Sequence, residues 1–290
     1  MNELSRSWLR RRVRRWPAAL AALLLVAGAQ VVVQLTNVAP AAAAISLTRI
    51  VATSGTSSAS SRSVLAECPS GTVGLGGGGS VDDGGAGQVM LTELRPQFFG
   101  YQVSAAENAV TGFSGNWSVT AYAICGPMPA GYEIDSVEPG GTTGTFHAES
   151  RVCRSGKRVL GSGGKVLIGD GSITGYVGLH LIRPDDPLLM GRATARVIPQ
   201  GYGGPWAVFA YAVCAFSIGQ VYTDRLTAGS VGSVGCPAGT QATGLGGGGG
   251  VVDLGPFYLQ AIIPLGTHAV IARMTGTPAG GMVTQATCTP

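Results

Sequence analysis

The stretch AECPSGTVGLGGGG, residues 66–79, places a cysteine, a Pro-Ser-Gly step and a run of glycines in succession. Two related stretches follow, SRVCRSGKRVLGSGG at residues 150–164 and SVGCPAGTQATGLGGGG at residues 233–249. The cysteines that open the three stretches are 85 and 83 positions apart. A period of this kind identifies a structural unit that the chain repeats. The sequence therefore predicts three tandem repeats.

Each repeat also ends on a cysteine, in WSVTAYAIC (117–125), WAVFAYAVC (206–214) and GMVTQATC (281–288). Opening and closing cysteines alternate along the chain, and the spacings within a repeat are 57, 61 and 52. Six cysteines allow 15 pairings, and the simplest joins each opening cysteine to its own closing cysteine. Zinc is disfavoured because the chain has no C-x-x-C pair and only three histidines. The predicted disulfides are Cys68–Cys125, Cys153–Cys214 and Cys236–Cys288.

Residues with a period of two, which is typical of strands, dominate each repeat. In WSVTAYAIC, Trp117, Val119, Ala121, Ala123 and Cys125 alternate with the other residues. We expect an all-β fold with about five short antiparallel strands in each repeat, of which the third ends at Pro96, Pro184 or Pro264. The predicted repeats are residues 45–130, 131–218 and 219–290. Each could fold alone with its disulfide, or the three could pack around a pseudo-threefold axis.

The glycine runs at Gly76–Gly79, Gly163–Gly164 and Gly246–Gly250 have two interpretations. A phosphate-binding loop needs a following helix and, in a P-loop, a GK[ST] ending, and neither is present. A strand or bulge that another backbone approaches too closely for side chains also needs glycine. The sequence favours the second interpretation.

The N-terminus is typical of an export signal. Basic residues Arg10 to Arg15 precede an apolar stretch, Pro17 to Leu35, and the sequence VAPAAAA ends at Ala44. This order predicts a signal helix over residues 1–44 with cleavage after Ala43 or Ala44. The alternative is an uncleaved membrane anchor, because about 20 apolar residues can span a bilayer.

The formal charge of +4 comes from this segment. Residues 1–44 hold six arginines and one acidic residue. Of the 19 basic and 15 acidic residues in the chain, 13 basic and 14 acidic residues therefore remain from residue 45 onwards. A nucleic-acid partner usually needs a clustered cationic surface, and we therefore expect none. The predicted location is outside the cell, where disulfides persist, and membrane contact is expected only through an uncleaved N-terminal segment.

No catalytic motif is recognisable, and no cofactor or metal is predicted. Neither G-x-S-x-G nor H-E-x-x-H occurs, and the three histidines do not occupy matching positions in the repeats. Aspartates follow each glycine run, and an Asp that closes its own hairpin explains them better than a calcium or sugar ligand does. These weak ligand candidates are Asp82, Asp83, Asp170 and Asp253.

The combination of C-P-x-G, a glycine run, a proline step and W-x-V-x-A-Y-A-x-C resembles a repeat of uncharacterised secreted proteins from high-GC Gram-positive bacteria. A similar single copy ends some collagen-like and phage-fibre-like proteins. In the fibre-type setting a trimer is expected, so the resemblance implies that three copies in one chain form a covalent pseudo-trimer. The second repeat lacks the C-P step and the third lacks the tryptophan.

These observations predict a secreted, non-enzymatic structural or binding protein, with a cell-wall or surface glycan as its candidate partner. The first alternative is an extracellular hydrolase that uses carboxylates, which needs two of them at a defined separation. The second is a membrane-anchored surface protein that retains its N-terminal helix.

Overall fold

The computed structural model describes residues 45–85, 87–169, 175–250, 255–266 and 268–290. The predicted signal helix and its cleavage point at Ala44 lie outside these residues. The segment Ala42–Pro290 forms one compact unit, and its described part is all-β, as predicted. This part contains no helix that is long and apolar enough to cross a membrane.

Within the described residues, each repeat contributes six strands, so the prediction of about five was wrong. In the first repeat they are Thr48–Thr53 (β1), Ser61–Glu67 (β2), Val73–Asp82 (β3), Val89–Gln97 (β4), Gly100–Glu107 (β5) and Ser118–Gly126 (β6). In the second they are Glu133–Ser136 (β7), Phe146–Val152 (β8), Lys157–Ile168 (β9), Val177–Asp185 (β10), Met190–Val197 (β11) and Trp206–Phe216 (β12). In the third they are Val221–Thr227 (β13), Val231–Gly235 (β14), Gln241–Gly249 (β15), Leu259–Leu265 (β16), Ala269–Met274 (β17) and Met282–Thr289 (β18). The glycine runs lie within full strands, β3, β9 and β15, except for Gly250, which follows β15, although glycine has a low β propensity.

The strands form three antiparallel sheets, and each sheet combines three strands from each of two repeats. Sheet I has the order β1-β6-β3-β16-β17-β14, sheet II has β2-β5-β4-β9-β12-β7, and sheet III has β13-β18-β15-β10-β11-β8. Each repeat therefore gives half of its strands to one sheet and half to another, and the two halves pack face to face. The three repeats close into a ring with a pseudo-threefold axis, in agreement with the predicted assembly.

Each sheet crosses from one repeat to the next at a glycine strand. Ile262 pairs with Gly79 in sheet I, Leu94 pairs with Gly164 in sheet II, and Ile182 pairs with Gly247 in sheet III. In the part of the chain that the structure describes, two residue pairs join the repeats in each sheet. The equivalent partners at the three junctions support the internal symmetry.

The glycine strands also meet one another at the axis. A Cβ atom at Gly76 would clash with the carbonyl oxygen of Thr243, one at Gly161 with that of Leu75, and one at Gly244 with that of Leu160. These three glycines follow their opening cysteines by the same eight positions. The interpretation of the glycine run as close backbone packing is therefore confirmed, because the three backbones leave no room for side chains.

The predicted strand stops at the prolines were wrong, since Pro96, Pro184 and Pro264 lie inside β4, β10 and β16. The ring of Pro96 packs on the backbone of Gly163, and the ring of Pro184 packs on that of Gly246. Proline has no N–H to donate to the neighbouring glycine strand. In sheets II and III it therefore ends the pairing between repeats, while the pairing within the repeat continues to the hairpin turn.

The predicted disulfides are confirmed, and each joins two different sheets. Cys68–Cys125 links the end of β2 in sheet II to β6 in sheet I. Cys153–Cys214 links sheets III and II, and Cys236–Cys288 links sheets I and III. Three disulfides indicate an oxidising environment. Each disulfide fixes a place where two sheets meet. The largest apolar cluster in the core contains residues from all three repeats.

Along its strands, each repeat has two distinct ends. Near one end lie the disulfides and the contacts of Gly76, Gly161 and Gly244. Nearer the other end Gly178 packs between Met90 and Tyr258, which occupy the equivalent position in the other two repeats. We call these the disulfide end and the far end.

Candidate functional site

One buried carboxylate on the outer face of sheet II departs from the pattern of the repeats. Glu93 follows Leu91 by two positions, but the register of β4 against β5 shifts between them because Thr92 forms a bulge. The bulge leaves both Leu91 and Leu94 in the core and turns Glu93 to the opposite face. In the sequence, the bulge is visible only as an interruption of the alternation of apolar residues.

The Glu93 carboxylate is almost fully saturated by its neighbours. Arg95 Nε lies 2.5 Å and Lys165 Nζ 3.7 Å from Glu93 Oε1, and Ser104 Oγ donates a 2.8 Å hydrogen bond to Oε2. Only 4% of the Glu93 side chain is exposed, against 33% of Arg95 and 23% of Lys165. The carboxylate therefore orients two cations whose outer sides stay accessible to solvent.

Lys165 comes from the second repeat, so the cluster exists only when the repeats are joined. Glu93 and Lys165 are one of the two residue pairs that connect β4 to β9. A buried charge without its partners would cost several kcal/mol. The site therefore forms only when the first and second repeats pair in sheet II.

A polar groove of about 470 Å³ lies over this cluster. We call it the Glu93 groove, and its lining residues are Ser61, Arg62, Ser63, Glu93, Arg95, Gln102, Ser104 and Ala105. Gln102 Nε2 donates to Ser63 Oγ, and the Ser63 and Ser104 hydroxyls are 3.0 Å apart. The groove therefore offers hydroxyl, amide and guanidinium groups that are held in place by one another.

Two aromatic side chains border the cluster on the side of β12. Phe209 is the register partner of Lys165, and the rings of Phe209 and Tyr211 stack with centroids 6.4 Å apart. Burial raises the pKa of Tyr211, an effect that Arg95 opposes and Glu93 reinforces. The phenol therefore stays neutral at ordinary pH and remains able both to donate and to accept a hydrogen bond.

The equivalent positions in the other two sheets carry no charge. Leu181 pairs with Gly248 in sheet III, and Ala261 pairs with Ser80 in sheet I, where sheet II has Glu93 and Lys165. A shared fold does not need the ion pair, because two of three copies form the same junction without it.

Two of the four aspartates that the sequence singled out can be described. Asp82 accepts hydrogen bonds from Ser80 Oγ (3.0 Å) and Thr120 Oγ1 (2.6 Å), and both partners belong to its own repeat. Asp83 is exposed and has a positive φ of 60°. The structure therefore gives Asp82 a local hydrogen-bonding role and does not bring it into the Glu93 groove. Asp170 and Asp253 lie outside the described residues.

The described histidines occupy different settings. His147 Nε2 lies 3.1 Å from Glu149 Oε1, and its ring contacts Trp206 edge-to-face. His180 is buried at a bulge of β10, where its Nδ1 atom is 2.8 Å from the carbonyl oxygen of Phe257. His268 lies in the turn between β16 and β17. None of the three lines the Glu93 groove.

Within the described ranges, no group of three or more His, Cys, Asp or Glu side chains could hold a metal ion. The strongest cluster in sheet III is also an ion pair rather than a ligand set. Asp185 contacts Arg183 Nε at 2.6 Å and Arg192 Nε at 3.1 Å. Its two cations satisfy the carboxylate.

A scan against protein-family models found no match, and a search of curated proteins found no relative. The family resemblance of the sequence therefore stays a prediction. Function has to be argued from the site itself.

Proposed function

We propose that the protein is a secreted, non-enzymatic binding module that holds a surface glycan in the Glu93 groove. The observation that supports this most directly is the ion cluster of Glu93, Arg95 and Lys165, which stands where the other two sheets have Leu181 or Ala261. The junctions of the other two sheets form without a charged residue at the position of Glu93.

The chemistry of the groove suits a carbohydrate. A sugar presents hydroxyl groups that need both donors and acceptors, and the serine, glutamine and arginine side chains supply them. A sugar ring also has an apolar face that packs on aromatic side chains, and Phe209 and Tyr211 are partly exposed beside the cluster. Few polar groups fixed in a concave surface are typical of a ligand site.

The charge of the groove favours a glycan with an acidic group. Arg95 and Lys165 face a single carboxylate, Glu93. A planar guanidinium is well suited to bind a carboxylate or phosphate in two places. We therefore assign acidic cell-wall or surface polymers as the ligand class.

The hydrolase alternative has less support. Two-carboxylate hydrolysis needs a second acid at roughly 5 to 10 Å from the first. Among the described residues that line the groove, Glu93 is the single acidic side chain, and two cations hold it. His147 and Glu149 form a pair at 3.1 Å, but they lie on the edge strand β8 of sheet III.

Secretion rests on the export signal of residues 1–44 and is consistent with the three disulfides. Retention of the N-terminal helix as a membrane anchor is the alternative. The N-terminal sequence of the exported protein distinguishes them, because a start at Ala44 or Ile45 excludes the anchor.

A glycan array and a cell-wall pulldown with the oxidised protein test the binding proposal. The informative variants are Arg95→Ala and Gln102→Ala, with Arg183→Ala as the matched control because Arg183 occupies the position of Arg95 in sheet III. We expect retention on an acidic polymer, lost in the groove variants and kept in the control. No retention on any polymer, or equal loss in Arg183→Ala, would overturn the proposal.

A further inference from the structure

One strand at the edge of a sheet lacks the protection that the other edge strands have. Sheet I ends at β1 and β14, sheet II at β2 and β7, and sheet III at β13 and β8. Charged side chains and prolines on an edge strand disfavour pairing with a further strand. In the part of the chain that the structure describes, five edge strands carry charges, at Arg49 in β1, Arg62 and Glu67 in β2, Glu133 and Asp135 in β7, Glu149 and Arg151 in β8, and Asp224 and Arg225 in β13. The sixth, β14, has the sequence VGSVG, with neither a charge nor a proline.

β14 is also regular, whereas a bulge would be another protection of an edge. It pairs with β17 over its five residues without a shift of register. The N–H of Met274 donates to the carbonyl oxygen of Ser230 (2.9 Å), and the N–H of Cys236 donates to that of His268 (2.7 Å). Hydrogen-bonded pairs alternate along an antiparallel ladder, so these two bonds fix which residues of β14 bond to β17.

The residues of β14 that do not bond to β17 are Val231, Ser233 and Gly235. Their N–H and C=O groups point away from sheet I, and no other described residue forms a hydrogen bond with them. The side chains of all three positions are on the exposed face of the strand. β14 therefore presents three donors and three acceptors in the arrangement that a further antiparallel strand requires.

This arrangement is complementary to itself. A twofold axis through Ser233 places Ser233 opposite Ser233 of a second copy and Val231 opposite Gly235. All three kinds of free residue then meet in hydrogen-bonded pairs, which form roughly six backbone hydrogen bonds. The Val231 side chain, which is 52% exposed, packs over a glycine of the other copy.

The neighbouring strand brings no like charges together in this pairing. Arg273 is the register partner of Val231, and Ala269 is the register partner of Gly235. The row of side chains that contains Arg273 in one copy therefore continues through Val231 and Gly235 to Ala269 in the other. Like charges that face each other across a strand pair are destabilising, and this register avoids them.

Exposed apolar surface adjoins the free edge. A groove of about 480 Å³ lies between β13 and β14. Leu226, which is 65% exposed, and Val231 both line it. A strand added to β14 lies beside this groove and lowers its exposure to water.

We propose that two copies of the protein associate through antiparallel pairing of their β14 strands, so that two copies of sheet I form one continuous sheet. A second copy fits better than an unrelated peptide because the free groups of β14 match those of β14 itself. The same surface is used on both copies, so the association stops at a dimer. None of the residues that line the Glu93 groove takes part, so dimerisation does not depend on ligand binding there.

The contact is small, because five-residue strands bury less than the roughly 1,200 Å² of a standard interface. We therefore expect a concentration-dependent dimer. Sedimentation velocity of the exported, oxidised protein should show a weight-average coefficient that rises towards the dimer value between about 10 µM and 1 mM. A wild type that stays monomeric throughout this range overturns the proposal.

The variant Ser233→Lys tests the position of the twofold axis. It places two like charges opposite each other and should lower the association constant at least about tenfold. Ser150→Lys is the matched control, because Ser150 precedes Cys153 by three positions in the edge strand β8, as Ser233 precedes Cys236. The control should associate as the wild type does. Equal loss of association in both variants overturns the proposal, and urea unfolding of each establishes that the fold is kept.

The variant Ser233→Cys tests the same register by a covalent bond. The Cα atoms of a hydrogen-bonded antiparallel pair are about 5.5 Å apart, within the range that a disulfide spans. Mild oxidation should give a dimer in which position 233 is joined to position 233 of the second copy, as shown by non-reducing peptide mapping. Ser150→Cys is the control and should give at most about a tenth of this yield at the same concentration, because the two positions 150 do not meet. Equal yields, or no bridge at position 233, contradict the β14 pairing.

Discussion

The hydroxyl group of Tyr258 donates a hydrogen bond to the backbone carbonyl oxygen of Val197, 3.0 Å away, and so ties the third repeat to the second. Two other tyrosines make the same kind of link. Tyr101 donates to Ser162 at 3.0 Å and Tyr132 to Gly74 at 2.7 Å. Burial raises the pKa of all three phenols. Each hydroxyl group therefore stays a donor across a boundary where few backbone pairs hold the repeats together.

The first prediction concerns alkaline pH. Burial raises the pKa of Tyr258 to about 12, with Arg196 opposing the shift, whereas an unfolded tyrosine ionises near pH 10. The folded state thus holds this proton more tightly, and the stability it contributes is complete below about pH 10 and is lost as pH rises towards 12.

The variant Tyr258→Phe isolates this contribution. Near neutral pH we expect it to lower the free energy of unfolding by about 1 kcal/mol, since the hydrogen bond to Val197 is lost. Above about pH 10 the difference from the wild type should narrow, because only the wild type has a Tyr258 proton to lose. Urea unfolding at a series of pH values measures this, and a difference that stays constant with pH would contradict the assigned cause.

The second prediction concerns the disulfides. Cys68 and Cys125 enclose a loop of 57 residues, and a loop of that size corresponds to about 4 kcal/mol in the chain-entropy model. The variant Cys68→Ala/Cys125→Ala should lose about 2–4 kcal/mol in urea unfolding. Adding a reductant to the wild type should cost more, because all three bridges open. An unchanged urea midpoint in the double variant would show that hydrogen bonds alone hold sheets I and II together at this place.

The sequence predicted the parts of the fold that periodicity and chemistry determine locally. Alternation identified strands such as β6, and the two cysteine settings identified the correct pairing among fifteen. The sharing of each sheet between two repeats was not predictable, because register partners such as Leu94 and Gly164 are far apart in sequence. The predicted strand end at Pro96 was wrong for the same reason. In the sequence, a proline that ends pairing with one of two neighbouring strands looks the same as a proline that ends the strand.

The Glu93 groove was missed entirely. The sequence pattern pointed to the aspartates after the glycine runs, whereas Glu93 stands in the middle of β4. An alignment of the three repeats on Leu94, Ile182 and Ile262 would have placed Glu93 opposite Leu181 and Ala261. The bulge at Thr92 and the pairing with Lys165 decide its environment, and neither has a local signature.

The third prediction concerns the glycine contacts at the axis. An added Cβ at Gly76 would clash with the backbone carbonyl of Thr243, which cannot move without disturbing β15. Gly76→Ala should therefore lower the free energy of unfolding by about 1–3 kcal/mol, the usual cost of overpacking. Gly55 has nothing within 4 Å of its added Cβ and no positive φ. Gly55→Ala is thus the matched control and should change stability by less than about 0.5 kcal/mol. Equal effects in both would refute close packing at the axis.

The fourth prediction separates binding from stability at the Glu93 groove. The variant Glu93→Leu/Lys165→Gly places in sheet II the pair Leu181 and Gly248 that sheet III uses at the same junction. Replacing a buried ion pair by apolar side chains is often neutral or stabilising, so the variant should keep its free energy of unfolding within about 1 kcal/mol of the wild type or exceed it. Glu93→Leu alone leaves two cations without their carboxylate and should be less stable than the double variant. Retention on acidic polymers should be lost in both. A double variant whose free energy of unfolding falls by several kcal/mol would show that Glu93 stabilises the fold. A double variant that stays stable but no longer binds would show that Glu93 serves ligand binding, because the buried charge then brings no gain in stability.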